Sequence, residues 1–322
     1  MKVNTINLIP ISGGKDSQAT LQLAVDRDTE NIRGVFADTG IEHELTYRHL
    51  ETIESEFGIT INRLKADFTQ RLAQKRMYVE FIWKSEGVPN TVCDAALAVL
   101  HPTGVPFLDL CLLKGRFPGH AKAEFCTFEL KQYPMQDLQD YLLRNVSKNL
   151  IVWQGTRKDE SARRAHLTEW DVEFGDVESR TGHLIYRQIV DWCSDDVFGF
   201  LKRSGKTINP LYAMGFNRVG CMPCKNERKN GVRIIAERFP EYVEKIEEFE
   251  RLVSIANKHG VSTFFDARIA SNFLNNDVIA TDTHGIKTHV EWSRSQKTGR
   301  NWQFTMALDQ EPECSSTAGY CE

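Results

Sequence analysis

The sequence predicts an α/β protein: a parallel, twisted sheet with helices on both faces, extended by a C-terminal Cys-rich metal-binding part. Three observations lead there. Apolar runs of strand length alternate with helix-length amphipathic runs through the first 77 residues. The first apolar run ends in a glycine turn, Ser12-Gly13-Gly14-Lys15-Asp16-Ser17, placed to open a helix. Beyond residue 207 the composition turns to Gly, Pro and Cys. A chain of 322 residues holds one large or two ordinary domains at roughly 150 residues each. The divisions expected are 1–205, with an insertion at about 78–122, and 206–322.

Each element has its own warrant. Residues 5–11 read as a buried first strand, since the run is too short for a signal peptide and lacks a cleavage site. Ala19, Leu21 and Ala24 give helical spacing to 16–26. A strand at 32–37 ends at Asp38-Thr39-Gly40, and a helix at 45–57 is closed by Gly58. A strand at 59–64 and a helix at 68–77 follow. Residues 79–117, with Pro89, Pro102 and Pro106, break the rhythm and read as an insertion or lid. Helical spacing resumes over 126–144. A strand at 150–154 leads into the polar segment 155–164, and 184–190 and 195–203 read as strand and helix. Two charged helices, 232–238 and 241–259, precede an irregular C-terminus.

Composition excludes several classes. A hydrophobic fraction of 41% and a charged fraction of 26% match a soluble globular protein and rule out disorder, collagen and a continuous coiled coil. No apolar run approaches the roughly 18 residues that span a bilayer, so no membrane partner is expected and the cytoplasm is the expected location. A net charge of -4 provides no global polycation for nucleic acid. Locally, Lys225, Arg228, Lys229 and Arg233 form a basic patch, or the solvated face of a helix. Eight cysteines without a secretory signal argue against a disulfide framework and for metal binding or catalysis.

The glycine turn is an anion cradle. Gly13 and Gly14 let the backbone approach a ligand, and the helix that follows offers unpaired N–H groups and a positive dipole end. Ser12 and Ser17 add hydroxyls and Lys15 a cation. Asp16 stands where a Walker A loop needs Ser or Thr, and no glycine precedes Gly14 at the Walker spacing. Arg157, Arg163 and Arg164 suit bidentate contacts to phosphate or sulfate. Glu160 either orients an arginine or holds a magnesium ion, and Asp38 either reaches a ribose hydroxyl or caps the next element.

These residues carry a resemblance. Ser12-Gly13-Gly14-Lys15-Asp16-Ser17 resembles the PP-loop of the adenine-nucleotide α-hydrolase superfamily, in its phosphoadenosine phosphosulfate (PAPS) reductase-like, phage-type branch. Phe36-Ala37-Asp38-Thr39-Gly40 resembles the second-strand end that lies against adenosine. Gly155-Thr156-Arg157-Lys158-Asp159-Glu160-Ser161-Ala162-Arg163 resembles the family's G-x-R-x-x-E-S-x-R segment. Residues 125–134 resemble its C-T-x-x-x-K-x-x-P segment. The resemblance spans roughly residues 5–225. It implies a PP-loop fold, a bound adenine nucleotide (ATP, adenylyl sulfate or PAPS) with Mg2+, and relatives among sulfurtransferases that thiolate DNA and tRNA. Carried onto this chain, it implies nucleotide contacts at Ser12, Gly13, Gly14, Lys15, Asp16, Ser17, Asp38, Thr39, Gly155, Arg157, Glu160, Ser161 and Arg163. Lys15, Asp16, Cys126 and Arg157 are the catalytic candidates.

Cys221 and Cys224 form a C-x-x-C pair, a spacing that puts two thiolates on one metal. Cys314 and Cys321 complete a candidate set of four, and the tail from Cys314 to Glu322 resembles the C-x-S-x-x-G-x-C-E ending of phage-type members. Four thiolates suit zinc or a [4Fe–4S] cluster; the resemblance favours iron–sulfur. Cys126 is the rival ligand, giving a three-cysteine site with Cys221 and Cys224, or else a sulfur-accepting nucleophile, which needs a lowered pKa. Cys93, Cys111 and Cys193 lack partner spacing and read as buried core thiols.

Three functions follow as expectations. The first is ATP-dependent sulfur transfer: adenylation of an acceptor, then thiolation, with a nucleic-acid acceptor and a cysteine desulfurase-like sulfur donor. The second is PAPS or adenylyl-sulfate reduction with a thioredoxin-like partner. It is disfavoured because Glu313-Cys314-Ser315-Ser316-Thr317 lacks the Gly and His of the reductases' E-C-G-x-H motif. The third is a nucleotide-sensing module of a phage or defence assembly. A homodimer is compatible with each.

Overall fold

The computed structural model describes residues 5–119, 124–178 and 181–295. The chain runs β1 (Thr5–Pro10), α1 (Lys15–Asp26), β2 (Ile32–Ala37), α2 (Glu44–Phe57), β3 (Ile61–Leu64) and α3 (Thr69–Tyr78). A π-helical stretch, Val79–Trp83, leads to α4 (Asn90–Val99) and α5 (Pro106–Lys114). Next come α6 (Phe125–Thr127), a second π-helical stretch and α7 (Tyr133–Asn145). Then follow β4 (Asn149–Trp153), β5 (Trp170–Asp176), β6 (Thr181–Tyr186) and α8 (Ser194–Ser204). The C-terminal portion holds α9 (Pro210–Ala213), α10 (Lys229–Arg238), α11 (Pro240–Ile255), α12 (Ala267–Leu274), α13 (Thr281–His284) and α14 (Ile286–Arg294).

The sheet order is β3-β2-β1-β4-β6-β5. All pairs are parallel except β5 with β6. Strand β1 is buried on both faces, as its near-continuous apolar run requires. Ile6 and Leu8 pack with Met135 and Leu142 of α7, while Ile9 and Ile11 pack with Leu21 of α1 and Leu50 and Ile53 of α2. The chain leaves β1 toward β2 and later returns to β4 on its other side. The carboxyl ends of β1 and β4 therefore flank a topological switch point, where open α/β sheets bind ligands.

Several expectations are corrected. Residues 170–176 form β5, an edge strand with largely exposed side chains that the expected elements did not include, although Trp170, Val172 and Phe174 alternate with Asp171 and Glu173 as in a strand. The last parallel strand is Thr181–Tyr186 rather than 184–190, because Val190 N–H bonds back to the Arg187 carbonyl in a turn. Residues 79–117, expected as an insertion or lid, contribute to the core. Trp83, Cys93, Leu100, Phe107 and Leu110 share one apolar cluster with Phe249, Val253, Phe264 and Ile286, where each fully buried large side chain contributes about 1.5–3 kcal/mol. The C-terminus, expected to be irregular, folds through 294 into α12, α13 and α14. Glu250 supports that packing: it is buried and accepts the amides of Phe264 (2.7 Å) and Ile286 (2.8 Å). Burial pushes its carboxyl up to about 7. Among the described residues no helix is long and apolar enough to cross a membrane.

Candidate functional site: the glycine loop and its thiol-lined cavity

Strand β1 hands directly to α1 through Ser12-Gly13-Gly14. Gly13 sits at φ +82°, and a Cβ there would lie 2.7 Å from Thr46 Cγ2, so both conformation and space demand glycine. The hydroxyls of Ser12 and Ser17 stand 3.1 Å apart, and Ser17 donates to the Gly14 carbonyl at 3.0 Å. The Gly14 amide donates to Ser12 Oγ at 3.2 Å. The loop is thus pre-shaped by its own side chains.

Asp16 is fully buried in the first turn of α1, where the helix dipole favours a carboxylate. Lys15 Nζ lies 2.8 Å from its Oδ2 and Arg157 Nε lies 2.9 Å from its Oδ1. The second contact is an ion pair outside hydrogen-bond alignment. Arg157 also pairs with Asp159 and reaches Glu160, whose carboxylate contacts Arg164 as well. Glu160 therefore orients arginines. Arg164 is buried; Arg163 is exposed on the same turn. Gly155 allows this assembly to close: a Cβ there would stand 2.8 Å from Asp16 C and O and 2.9 Å from Ser17 N. Thr156 Oγ1 and Ser161 Oγ are buried without hydrogen-bond partners, orphan groups of the kind that a ligand oxygen satisfies.

Asp38 does not cap the next helix, α2, whose N-cap is His43; it braces the loop after β2. Its Oδ1 accepts the Gly40 amide (2.9 Å) and the Tyr47 hydroxyl (2.7 Å), and its Oδ2 pairs with Lys65 at 3.1 Å. Thr39 donates its hydroxyl to Glu42 at 2.6 Å.

A small cavity of about 50 Å³ lies beyond the carboxyl ends of β1 and β2. Ser12, Thr39, Cys126, Lys131, Cys221 and Cys224 line it. The C-x-x-C turn reaches it by docking on the loop after β2: Met222 N–H bonds to Ile41 O at 2.8 Å, and Cys221 bridges Glu42. Cys221 Sγ lies 3.4 Å from Thr39 Oγ1 and 3.6 Å from Glu42 Oε1. Burial holds the Cys221 thiol well above its usual range, against the lowering pull of Lys131. Lys225, beside Cys224, is buried rather than part of a basic face, and pairs with buried Glu124 at 3.0 Å. That ion pair ties the turn bearing Cys126 to the turn bearing Cys224.

Among the described residues no group of three His, Cys, Asp or Glu side chains is arranged to hold a metal. Cys126, Cys221 and Cys224 share the cavity without forming a three-thiol site, and Cys314 and Cys321 lie outside the described residues. The C-terminal metal-binding part is therefore not shown. Cys93 and Cys111 are fully buried as expected. Cys193 is not: it is exposed, because it occupies the N-cap of α8 with its amide donated to Asp196.

Sequence reasoning missed Glu42, Asn209 and Tyr212 as parts of this region, whereas Lys131 is the lysine of the C-T-x-x-x-K-x-x-P segment. Asn209 Nδ2 donates to the Gly13 carbonyl at 3.1 Å, and the Lys15 amide donates to the Tyr212 hydroxyl at 2.9 Å. Both contacts span nearly two hundred residues of chain, beyond any local signal.

A parallel sheet, a glycine loop at the head of α1 and a neighbouring arginine–carboxylate network define a nucleotide-binding α/β protein. Residues 6–227 match the phosphoadenosine phosphosulfate reductase domain, and the chain belongs to that family. An uncharacterized protein of Escherichia phage 186 is 39% identical over 99% of this chain and 97% of its own length. The adenosine 5'-phosphosulfate reductase of Burkholderia cepacia is 35% identical over 24% of this chain and 29% of its own length. A crystal structure of PAPS reductase from Candida auris, in a phosphate complex, has 15% identity and a TM-score of 0.40, covering 68% of this chain and 82% of that one.

Proposed function

We propose that the chain binds an adenine nucleotide on residues 12–17 and uses it in ATP-dependent sulfur transfer. One observation supports this most: three thiols, Cys126, Cys221 and Cys224, line the same cavity as Ser12 of the loop and Thr39 after β2. A sulfur-carrying group thus stands beside the nucleotide cradle. In this reading an acceptor oxygen attacks the α-phosphorus of ATP and pyrophosphate leaves. The outer sulfur of a donor persulfide then displaces AMP, leaving donor and acceptor joined by a disulfide. The Cys126 thiol attacks the donor's sulfur, the thiolated acceptor leaves, and the donor–Cys126 disulfide is reduced by an external thiol. Lys15, Arg157 and the α1 N-terminus stabilise charge on the phosphates. Asp16 holds both cations in place, and Glu160 orients Arg157 and Arg164. Mg2+ arrives on the nucleotide phosphates rather than in a protein cage. Lys131 faces Cys221 and favours its thiolate against burial.

A metal site of Cys221, Cys224, Cys314 and Cys321, iron–sulfur in preference to zinc, belongs to the same proposal, and no chemical step is assigned to it. The partial likeness to adenosine 5'-phosphosulfate reductases supports a second reading, thiol-dependent reduction with release of sulfite. Two assays separate them. Pyrophosphate release from labelled ATP in the presence of acceptor nucleic acid is expected under sulfur transfer, and sulfite release from PAPS with thioredoxin under reduction. Neither product with any substrate would leave a nucleotide-sensing module. Metal analysis of anaerobically purified protein tests the four-thiol site: iron lost in Cys221→Ser supports it, and iron retained in that variant refutes the ligand set.

A further inference from the structure

We propose that the Tyr212 hydroxyl stands in for a ligand oxygen at the glycine loop and is displaced when a phosphate-bearing ligand binds. The inference rests on the nucleotide reading of residues 12–17. The first amides of a helix have no carbonyl partner within it, and that of Lys15 is one of them. In this structure it donates to Tyr212 Oη at 2.9 Å. The acceptor comes from 197 positions away in sequence, so the contact is a tertiary choice of the fold and not a consequence of local turn geometry.

The tyrosine is held there. Asn209, the cap of α9, donates to the Gly13 carbonyl at 3.1 Å and accepts the Leu211 amide at 3.0 Å, fixing the segment against the loop. The Tyr212 ring meets Phe198 edge-on with centroids 5.2 Å apart. Lys15 Nζ lies 5.7 Å from the Phe198 ring centroid and 5.8 Å from that of Tyr212. The hydroxyl thus sits where the helix dipole and a lysine both favour negative charge, yet it supplies only a neutral acceptor. A phosphoryl oxygen makes a charge-assisted bond roughly twice as strong. The tyrosine keeps the amide satisfied and yields it to an anion. It is a positioning residue that sets the affinity of the loop, and it makes no bond to reacting atoms.

A latch and a ligand contact predict opposite signs for one substitution. Tyr212→Phe removes the competing oxygen and keeps the ring against Phe198. With inorganic pyrophosphate as the probe, calorimetry on the full chain is expected to show about fivefold to tenfold tighter binding in the variant. That is the worth of one neutral hydrogen bond no longer broken on binding. Urea denaturation of both proteins confirms that they are equally folded. Equal or weaker binding in Tyr212→Phe overturns the latch while leaving the nucleotide reading standing. If wild type and variant both fail to bind pyrophosphate and ATP, the nucleotide reading falls and the latch falls with it.

Discussion

Gly155→Ala is the sharpest perturbation the geometry offers. The new Cβ would lie 2.8 Å from the carbonyl carbon and oxygen of Asp16 and 2.9 Å from Ser17 N. Ordinary contact begins at about 3.4 Å, so β4's outgoing loop and the first turn of α1 must part by about 0.6 Å. Both sides are backbone, buried and bonded, and neither yields as a flexible side-chain tip would. Overpacking of this kind costs about 1–3 kcal/mol, a sizeable share of the roughly 5–15 kcal/mol that holds a domain folded. The same displacement moves Arg157 away from Asp16, so ligand affinity falls with stability. Urea denaturation is expected to show a lower midpoint at unchanged slope, and ATP titration a Kd raised at least tenfold. A variant with wild-type midpoint and wild-type Kd would refute the claim that this close approach builds the site.

Three further outcomes follow from the same structure. Asp16→Asn removes the charge that holds Lys15 and Arg157, and breaking a buried pair typically costs about 3–5 kcal/mol; the thermal midpoint is expected to drop, and an unchanged midpoint contradicts the network. Lys225→Met strands the Glu124 carboxylate at a similar cost of about 3–5 kcal/mol, and adding Glu124→Leu should recover most of it; additive losses in the double variant would show that the two residues do not act as a pair. The Glu250 carboxyl, raised to about 7 from 4.5 by burial, binds its proton more tightly folded than unfolded. Its stabilising contribution is full below pH 4.5 and is lost as pH rises through 7, a change of about 3 kcal/mol. Subtracting the stability profile of Glu250→Gln from that of wild type should isolate this fall, and a flat difference would exclude it.

The sequence made the first half of the sheet legible because two periodicities meet at a glycine turn. Strand β1, the loop and α1 fall where Ile6, Leu8, Ser12, Gly13 and Leu21 place them. Gly58 ends α2 as its αL preference requires. Legibility failed where tertiary context decides. In Trp170–Asp176 the apolar–charged alternation of a strand is present but short, and it lies on an exposed edge. The prolines of 79–117 suggested an insertion or lid; Pro106 opens α5 at a helix start, where proline is tolerated, and many of the surrounding apolar residues join the largest core cluster. At the site, motif residues announced the loop and the arginines. Asn209 and Tyr212 entered only through folding, since their partners lie nearly two hundred residues away. Asp38 had two readings from sequence, ribose contact or cap; the structure gives the cap of α2 to His43 and sets Asp38 against the Tyr47 hydroxyl.

The central claim is that the Ser12–Ser17 loop grips the phosphates of an adenosine compound, and equilibrium binding tests it most directly. Calorimetric titration of freshly isolated protein with ATP, adenylyl sulfate and PAPS should give saturable, one-to-one binding of at least one of them, abolished by Gly13→Val, whose side chain the loop and Thr46 leave no room for. Absence of heat with all three nucleotides, or binding that survives Gly13→Val unchanged, would contradict the account.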